Sequence, residues 1–368
     1  MIKVLHFGDM HLDSPFSGVS VQEGERLREE LRNLFCGIMK LAAEFDIVLI
    51  AGDLFDCGYV SPETLELVKK AIRECEKPVI IAPGNHDPYK AGSVWTSGTW
   101  PENALIFSDE HLAHYDLQPA GQPVTVWGWA FTSDRMDTCP LSEGLVPFKG
   151  RINILCCHGD MSSPITKYCP VTPTAVAVSG CDYVALGHIH KAPEPCVCGK
   201  TTAAYCGFPE GRSWDETGNG GILSVTLDEG RMPVVTKIIT GHHRYETVSV
   251  DVTGCGSDEE TISCIAPLGA EFENAAVRIG LEGAVPPSYK PNTQKIADMT
   301  AHPSDVTLTV EDNTIPVYGA EYLEKDMTVR GEFYRSLLPG LSSEDREERA
   351  VASEALRIGL LSLEGRAF

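Results

Sequence analysis

Five short apolar segments each end in side chains that can bind metal ions or transfer protons. In chain order the segments run into "GDMH", "GDLFD", "GNHD", "CHGD" and "GHIH". A single His or Asp after a strand is usually a turn former or a satisfied core group, but five of the eleven histidines lie at these five ends. The side chains placed there are Asp9, His11, Asp53, Asp56, Asn85, His86, Asp87, His158, His188 and His190.

The donor types favour a centre for two divalent metal ions. Mixed oxygen and nitrogen donors in this number exceed the four ligands of a tetrahedral zinc site. Because the motifs place no thiolate among the donors, manganese or iron is favoured, with zinc and magnesium as alternatives. Two such ions suit in-line attack at phosphorus, and His86 beside Asn85 would protonate the leaving oxygen or hold the phosphate. The predicted ligands are Asp9, His11, Asp53, Asn85, His158, His188 and His190.

The segments that deliver these side chains are rich in Val, Ile and Leu, which is typical of strands buried on both faces. Helical patterns lie between the early strands, over Glu23–Phe45 and Ser61–Cys75, the second with Ser61 as N-cap before Pro62. This alternation predicts an α/β fold with a mainly parallel layered sheet. The polar clusters should then meet at the carboxyl edge of the strands, where the glycine of each motif lets the backbone turn sharply.

In this order the five motifs resemble those of the calcineurin-like metallophosphoesterases, over roughly Met1–Thr247. The resemblance implies a layered β-sandwich core of αββα type. It also implies that Asp56 orients a catalytic His86, whereas Asp87 is structural. By the same resemblance one ion is held by Asp9, His11, Asp53 and His190, and the other by Asp53, Asn85, His158 and His188, so that Asp53 bridges the two.

Two further segments, "DMHLDSPF" and "GFPEGRSWDE", are similar to the SbcD/YhaO-type DNA-repair nuclease subunits. That resemblance implies an exonuclease or endonuclease that works on DNA with an SbcC-like ATPase of the SMC family. Arg212 in the second segment is then a candidate phosphate contact, although the segment could equally be a loop that covers the metal edge. Subunits of this type commonly dimerise, and the helix over 28–45 could form a homodimer surface.

The rest of the chain alternates predicted helices and strands, which suggests a small α/β domain over 248–318. The resemblance implies that this is a cap domain that follows a nuclease domain over 1–247. Residues 319–368 form a helical segment. Its last helix is amphipathic, with Ala352, Leu356, Leu360 and Leu363 on one stripe and Ser342 as its N-cap. The helix either packs on its own domain or docks to the ATPase.

Composition narrows the functional classes. The formal net charge of −22 opposes broad adhesion to nucleic acid, which needs a basic surface. Thirteen unevenly spaced cysteines and the lack of a signal-peptide pattern or an apolar membrane span suggest a cytoplasmic protein. Two alternatives to the nuclease remain open: a metallophosphoesterase for a nucleotide or another small phosphoester, which the acidic charge favours, and a non-catalytic metal-bearing scaffold.

Overall fold

The computed structural model describes residues 1–16, 19–56, 60–271, 275–301 and 307–363, and the chain divides into two compact units, 1–245 and 246–368. The predicted domain boundaries at 247 and 318 stay predictions. The first unit contains β1 (Ile2–Phe7), α1 (Val21–Leu41), β2 (Ile47–Ile50), α2 (Pro62–Cys75), β3 (Val79–Ile81), β4 (Ala104–Ile106), β5 (Ala113–Leu117), β6 (Val124–Gly128), β7 (Ile152–His158), α3 (Pro173–Ser179), β8 (Tyr183–Gly187), β9 (Cys196–Cys198), β10 (Thr201–Tyr205), β11 (Gly221–Leu227) and β12 (Val234–Ile239).

Two six-stranded sheets form the first unit. One has the order β12-β11-β1-β2-β3-β4 and the other β5-β6-β7-β8-β10-β9. The strands β1 to β4 are parallel, as are β6, β7, β8 and β10. The expected mainly parallel layered fold is therefore confirmed. The five motif-bearing strands do not share a single sheet, however: β1, β2 and β3 belong to the first, and β7 and β8 to the second.

The apolar residues of the strands form three buried layers. Val4, Leu49 and Ile154 belong to a core that joins the facing sides of the two sheets. The other face of the first sheet packs against α1 and α2, and the other face of the second sheet packs against a core that includes Val176 of α3. Strands buried on both faces explain the near-continuous apolar runs in the sequence.

Helices α1 and α2 each begin after a serine whose side chain caps the helix. Ser61 Oγ accepts a hydrogen bond from the backbone N–H of Thr64 at the start of α2, as the sequence predicts. Ser20 caps α1 in the same way, so this helix starts two residues earlier than the predicted Glu23. It ends at Leu41, and a 3₁₀ turn over Ala42–Glu44 completes the predicted helical span.

The second unit has its own core. Its first strand, β13, begins at the last two residues of the first unit. Its elements are β13 (Arg244–Asp251), α4 (Asp258–Ile265), β14 (Ala275–Glu282), β15 (Ala284–Val285), α5 (Thr293–Thr300), β16 (Thr307–Asp312), β17 (Ile315–Pro316), α6 (Ala320–Lys325), α7 (Val329–Leu341) and α8 (Arg346–Leu363). The strands pair in the orders β13-β14-β16 and β15-β17, and Val252, Ile279 and Ile296 are among the residues of the core. Residues 272–274 and 302–306 of the predicted cap domain lie outside the described residues, as do residues 364–368 of the predicted helical segment.

The start of the last helix differs from the prediction. Ser342 is the C-cap of α7, and its backbone N–H donates to the carbonyl of Leu338. Asp345 stands before α8 instead, and its carboxylate accepts from the backbone N–H of Glu347. Ser342 therefore ends one helix rather than starting the next. In the part of the chain that the structure describes, no helix has both the length and the apolar character needed to cross a bilayer.

Candidate metal centre and active site

The polar motifs converge at the carboxyl edge of both sheets. Asp9, His11 and Asp53 follow β1 and β2 with φ angles of 48°, 47° and 48°, which lie in the left-handed region. Non-glycine residues seldom adopt this conformation, and at functional sites it is held by the surrounding structure. Here backbone hydrogen bonds link the two loops, from Asp9 to the carbonyl of Gly52 and from His11 to the carbonyl of Asp53, each 3.0 Å long.

One group of potential metal-binding atoms comes from Asp9, His11 and His190. The Nε2 atoms of His11 and His190 are 3.3 Å apart. His190 Nε2 is 3.7 Å from Asp9 Oδ1, and His11 Nε2 is 3.8 Å from Asp53 Oδ2. Apart from the partly exposed ring of His190, these side chains are buried.

A second group comes from Asp9, Asp53 and His158. His158 Nε2 lies 3.2 Å from Asp53 Oδ2 and 2.9 Å from Asn85 Oδ1. His188 occupies a different position: its backbone N–H donates to Asp9, and its ring contacts the rings of His158 and Tyr168. A third group comes from His11, Asp53 and His86. The structure therefore brings six of the seven predicted ligands into contact with one another, while the ring of His188 lies beside His158 and outside these three donor groups of the described residues.

The arrangement of donors fits a bound cation. The ring nitrogen Nδ1 of His158 is 2.9 Å from the carbonyl oxygen of Ala51, which can only accept, so in a neutral ring this nitrogen carries the proton. The lone pair of Nε2 then faces the oxygens of Asn85 and Asp53, which are also acceptors. A metal ion satisfies all three groups together, and ligating histidines commonly have their other ring nitrogen held by a carbonyl in this way.

The electrostatics of the cluster also demand positive charge. Burial opposes the ionisation of Asp53, but the neighbouring His158 and His11 outweigh it and hold the pKa of this carboxyl well below its usual range. Burial would lower the pKa of His158, yet the charge of Asp53 and a hydrogen bond to it raise the pKa to about 9. Without a metal ion the protonated ring of His158 supplies this positive charge; a bound cation would supply it in place of the proton on Nε2 and leave the ring neutral.

His86 and Asp56 form a hydrogen-bonded pair next to these groups. Asp56 Oδ1 lies 2.9 Å from His86 Nδ1, and the backbone N–H of His86 donates to Asp53 Oδ1 over 2.9 Å. The hydrogen bond to Asp56, with the nearby charge of Asp53, raises the pKa of His86 despite partial burial. Burial opposes ionisation of Asp56, but the ring of His11, 3.6 Å away, and hydrogen bonds with His86 and Ser14 keep its pKa below the usual range. His86 remains about 37 % exposed, so it can reach a substrate.

Asp87, the remaining acid of the third motif, belongs to none of the donor groups of the described residues. Its carboxylate accepts hydrogen bonds from the backbone N–H groups of Gly84, Leu54 and Phe55, at 2.7, 2.9 and 3.2 Å. These bonds tie the loop after β3 to the loop after β2, which agrees with the structural role expected for Asp87.

The glycines of the motifs are needed chiefly for space. Only Gly52, with φ of +90°, has the left-handed conformation that the turn argument requires of them. Gly84 has ordinary backbone angles, but a Cβ atom there would lie 2.1 Å from Asp53 Oδ1. The expectation of a sharp glycine turn in every motif was therefore wrong, since close approach of two loops is what excludes a side chain at Gly84.

Sequence reasoning missed two residues of the site, Ser14 and Glu216. Glu216 is buried, and its carboxylate contacts both His190 and the guanidinium of Arg212. Ser14 Oγ donates to Asp56 Oδ2 over 2.8 Å and accepts from Arg212 Nη1 over 3.4 Å. The "GRSWDE" segment that contains Arg212 thus reaches the metal edge. The sequence signal for Glu216 was an acidic residue in a Gly-rich loop.

Comparison with known proteins identifies the family. The model of the calcineurin-like phosphoesterases matches residues 2–192. The chain belongs to this family. Its members bind two divalent metal ions and hydrolyse phosphoesters, in agreement with the Asp and His groups described above.

Two relatives illustrate the similarity within the family. An uncharacterised metallophosphoesterase, YhaO of Bacillus subtilis, is 29% identical over 306 residues, which cover 77% of this chain and 72% of the relative. The SbcD component of the nuclease SbcCD from Staphylococcus saprophyticus is 29% identical over 133 residues, covering 34% of this chain and 31% of the relative.

Proposed function

We propose that this protein is a two-metal phosphodiesterase that cleaves DNA as an exonuclease or endonuclease subunit in DNA repair. The observation that carries the proposal is the convergence of donors from both sheets around Asp53, next to the His86–Asp56 pair. Manganese is the proposed metal, because the donors are carboxylate, amide and imidazole groups. One ion is assigned to Asp9, His11, Asp53 and His190, and the other to Asp53, Asn85, His158 and His188.

The bound ions would supply an activated water and neutralise charge on the phosphate. The protein side chains would do the rest. His86 donates a proton to the leaving oxygen from Nε2, since Nδ1 is held by Asp56. Ser14 fixes the other oxygen of Asp56 and so limits rotation of that carboxylate. Arg212 is the proposed contact to a substrate phosphate, held at the site by Glu216.

DNA as substrate is supported by the relative whose name identifies it as part of a nuclease and by the segments "DMHLDSPF" and "GFPEGRSWDE". The acidic net charge of −22 means that any DNA contact must come from a local surface or from a partner. We therefore propose that the protein acts in the cytoplasm together with an SbcC-like ATPase of the SMC family. We also propose that it forms a homodimer.

The last helix is the proposed docking element for that ATPase. On α8, Val351 and Ile358 are 66% and 37% exposed and lie two turns apart on the same face. Replacing both by Glu should abolish co-purification with the ATPase, while metal-dependent hydrolysis of a small ester continues. Co-purification that survives the double substitution would rule out this helix as the docking site.

A second candidate substrate is a nucleotide or another small phosphoester. It is favoured by a cavity of about 600 Å³ that adjoins His86 and is walled by Phe55, Leu65 and Val94, among others. A cavity of this size suits a small organic leaving group. The acidic surface, which repels DNA, points the same way.

One experiment separates these possibilities. The full-length protein is stripped with a chelator and resupplied with Mn²⁺. It is then assayed on end-labelled linear duplex DNA, on nucleotides and on bis-p-nitrophenyl phosphate, with His86→Ala as control. DNA shortening that His86→Ala abolishes supports the nuclease. Hydrolysis confined to small esters supports the second candidate, and no hydrolysis of any substrate contradicts both and favours a scaffold.

A further inference from the structure

Glu216 is a buried acid with a specific partner on each side. It is 1% exposed, and it lies in the segment between β10 and β11. Its Oε1 atom lies 2.7 Å from His190 Nδ1. Its Oε2 atom accepts from the backbone N–H of Arg212 over 2.7 Å and from the Nε of the same residue over 3.3 Å. The carboxylate therefore joins a candidate metal ligand to the loop that carries Arg212.

This contact determines how the imidazole of His190 is presented. An ionised carboxylate only accepts hydrogen bonds, so the proton of the neutral ring lies on Nδ1. The lone pair of Nε2 then faces the donor group, 3.7 Å from Asp9 Oδ1 and 3.3 Å from His11 Nε2. A carboxylate behind a ligating histidine fixes the tautomer, orients the ring and raises its basicity.

The contacts continue across the site to the His86 side. Arg212 pairs with Glu216 and also donates from Nη1 to Ser14 Oγ over 3.4 Å. Ser14 in turn donates to Asp56, which holds His86. Side chains that are far apart in the chain thus connect the ligand His190 to the proposed proton donor through a continuous set of hydrogen bonds.

We propose that Glu216 is a positioning residue, which sets the tautomer and orientation of His190 and anchors Arg212 and Ser14 against Asp56. The part of this proposal that concerns metal affinity rests on the proposed function. Glu216 touches neither substrate nor the reacting atoms, so its effect passes through His190 on one side and through Arg212 on the other. Loss of its charge should weaken one of two metal sites and leave the second almost unchanged.

The test uses the full chain with Glu216→Gln, which keeps the shape. The donors of Arg212 hold the amide oxygen, so the amide NH₂ faces Nδ1 of His190, which must then accept a hydrogen bond instead of donating one. The matched control is Glu210→Gln. Glu210 is a buried acid of the same segment, and it accepts from the backbone N–H groups of His242 and His243 rather than from a ligand. Mn²⁺ binding is titrated by electron paramagnetic resonance. The tautomer of His190 is read separately in the metal-free proteins by ¹⁵N NMR at alkaline pH, where the imidazole ring is neutral. Thermal unfolding verifies folding.

We expect wild type and Glu210→Gln to bind two ions, and Glu216→Gln to bind one of them about 10- to 100-fold more weakly. The Nδ1–H tautomer of His190 should dominate in the first two proteins and be depleted in Glu216→Gln. Unchanged affinities and an unchanged tautomer in a folded Glu216→Gln protein would overturn the inference. If wild type binds no Mn²⁺, the proposed metal centre fails, and the tautomer measurement by itself decides whether Glu216 positions His190.

Discussion

Replacement of Gly84 by Ala tests whether Asp53 keeps its position only because the loops after β2 and β3 approach each other closely. A Cβ atom at this position would lie 2.1 Å from Asp53 Oδ1 and 2.6 Å from the backbone nitrogen of Asp53. Cβ contacts shorter than 3.0 Å are essentially never seen, so the carboxylate must retreat by about 0.9 Å. Because a backbone atom blocks the way as well, rotation of the Asp53 side chain alone cannot relieve the clash.

The size of the effect follows from this displacement. A shift of about 1 Å in a catalytic constellation can cost about 100-fold in rate. Overpacking of a buried contact costs about 1–3 kcal/mol of unfolding free energy. We therefore expect Gly84→Ala to lose at least about 100-fold in kcat/KM for bis-p-nitrophenyl phosphate, with a reduced content of tightly bound metal, since Asp53 is the proposed bridging ligand.

The assay combines hydrolysis, metal content by mass spectrometry and urea denaturation, with Gly37→Ala as control. Gly37 lies in α1, and a Cβ atom there would meet nothing within 4 Å. This control should keep full activity and gain up to about 1 kcal/mol of stability, because Ala favours the helix. A Gly84→Ala protein with wild-type activity and metal content would refute the argument that glycine is required for the position of Asp53.

Three other expectations concern catalysis, acid stability and a helix cap. Asp56→Asn should lower kcat, measured at saturating Mn²⁺, about 10²- to 10⁴-fold, because it weakens the hold on His86; a wild-type kcat would contradict a role of Asp56 in proton transfer. Burial lowers the pKa of His6 to about 3, so between that pH and 6.5 protons bind preferentially to the unfolded chain. The free energy of unfolding should therefore fall on acidification by up to about 1.4 kcal/mol per pH unit from this residue. His6→Gln should flatten the profile measured by urea denaturation from pH 7 to 5, and a slope equal to that of wild type would refute the assignment. Ser61→Ala should cost about 1 kcal/mol in the same measurement, whereas no loss of stability would show that the cap on Thr64 is dispensable.

The sequence predicted three features that depend on local patterns. These are the positions of the motif-bearing strands, the cap of α2 and the motif residues at the strand ends. Buried strands need apolar runs, and Ser61 before Pro62 marks a helix start wherever the helix lies. The donor types in the five motifs predicted metal chemistry for the same reason, since ligand preference is a property of the side chain itself.

Only the tertiary structure decided how those residues combine. The division of the motif strands between two sheets depends on pairings such as that of β1 with β11, which join distant parts of the chain. The contact between Arg212 and Ser14 spans 198 residues, and that between His11 and His190 spans 179. No local pattern encodes such neighbours, because they arise when separate loops meet at the edge of a packed core. For that reason Glu216, which the sequence marks only as an acidic residue in a Gly-rich loop, is found behind His190 once the chain is folded.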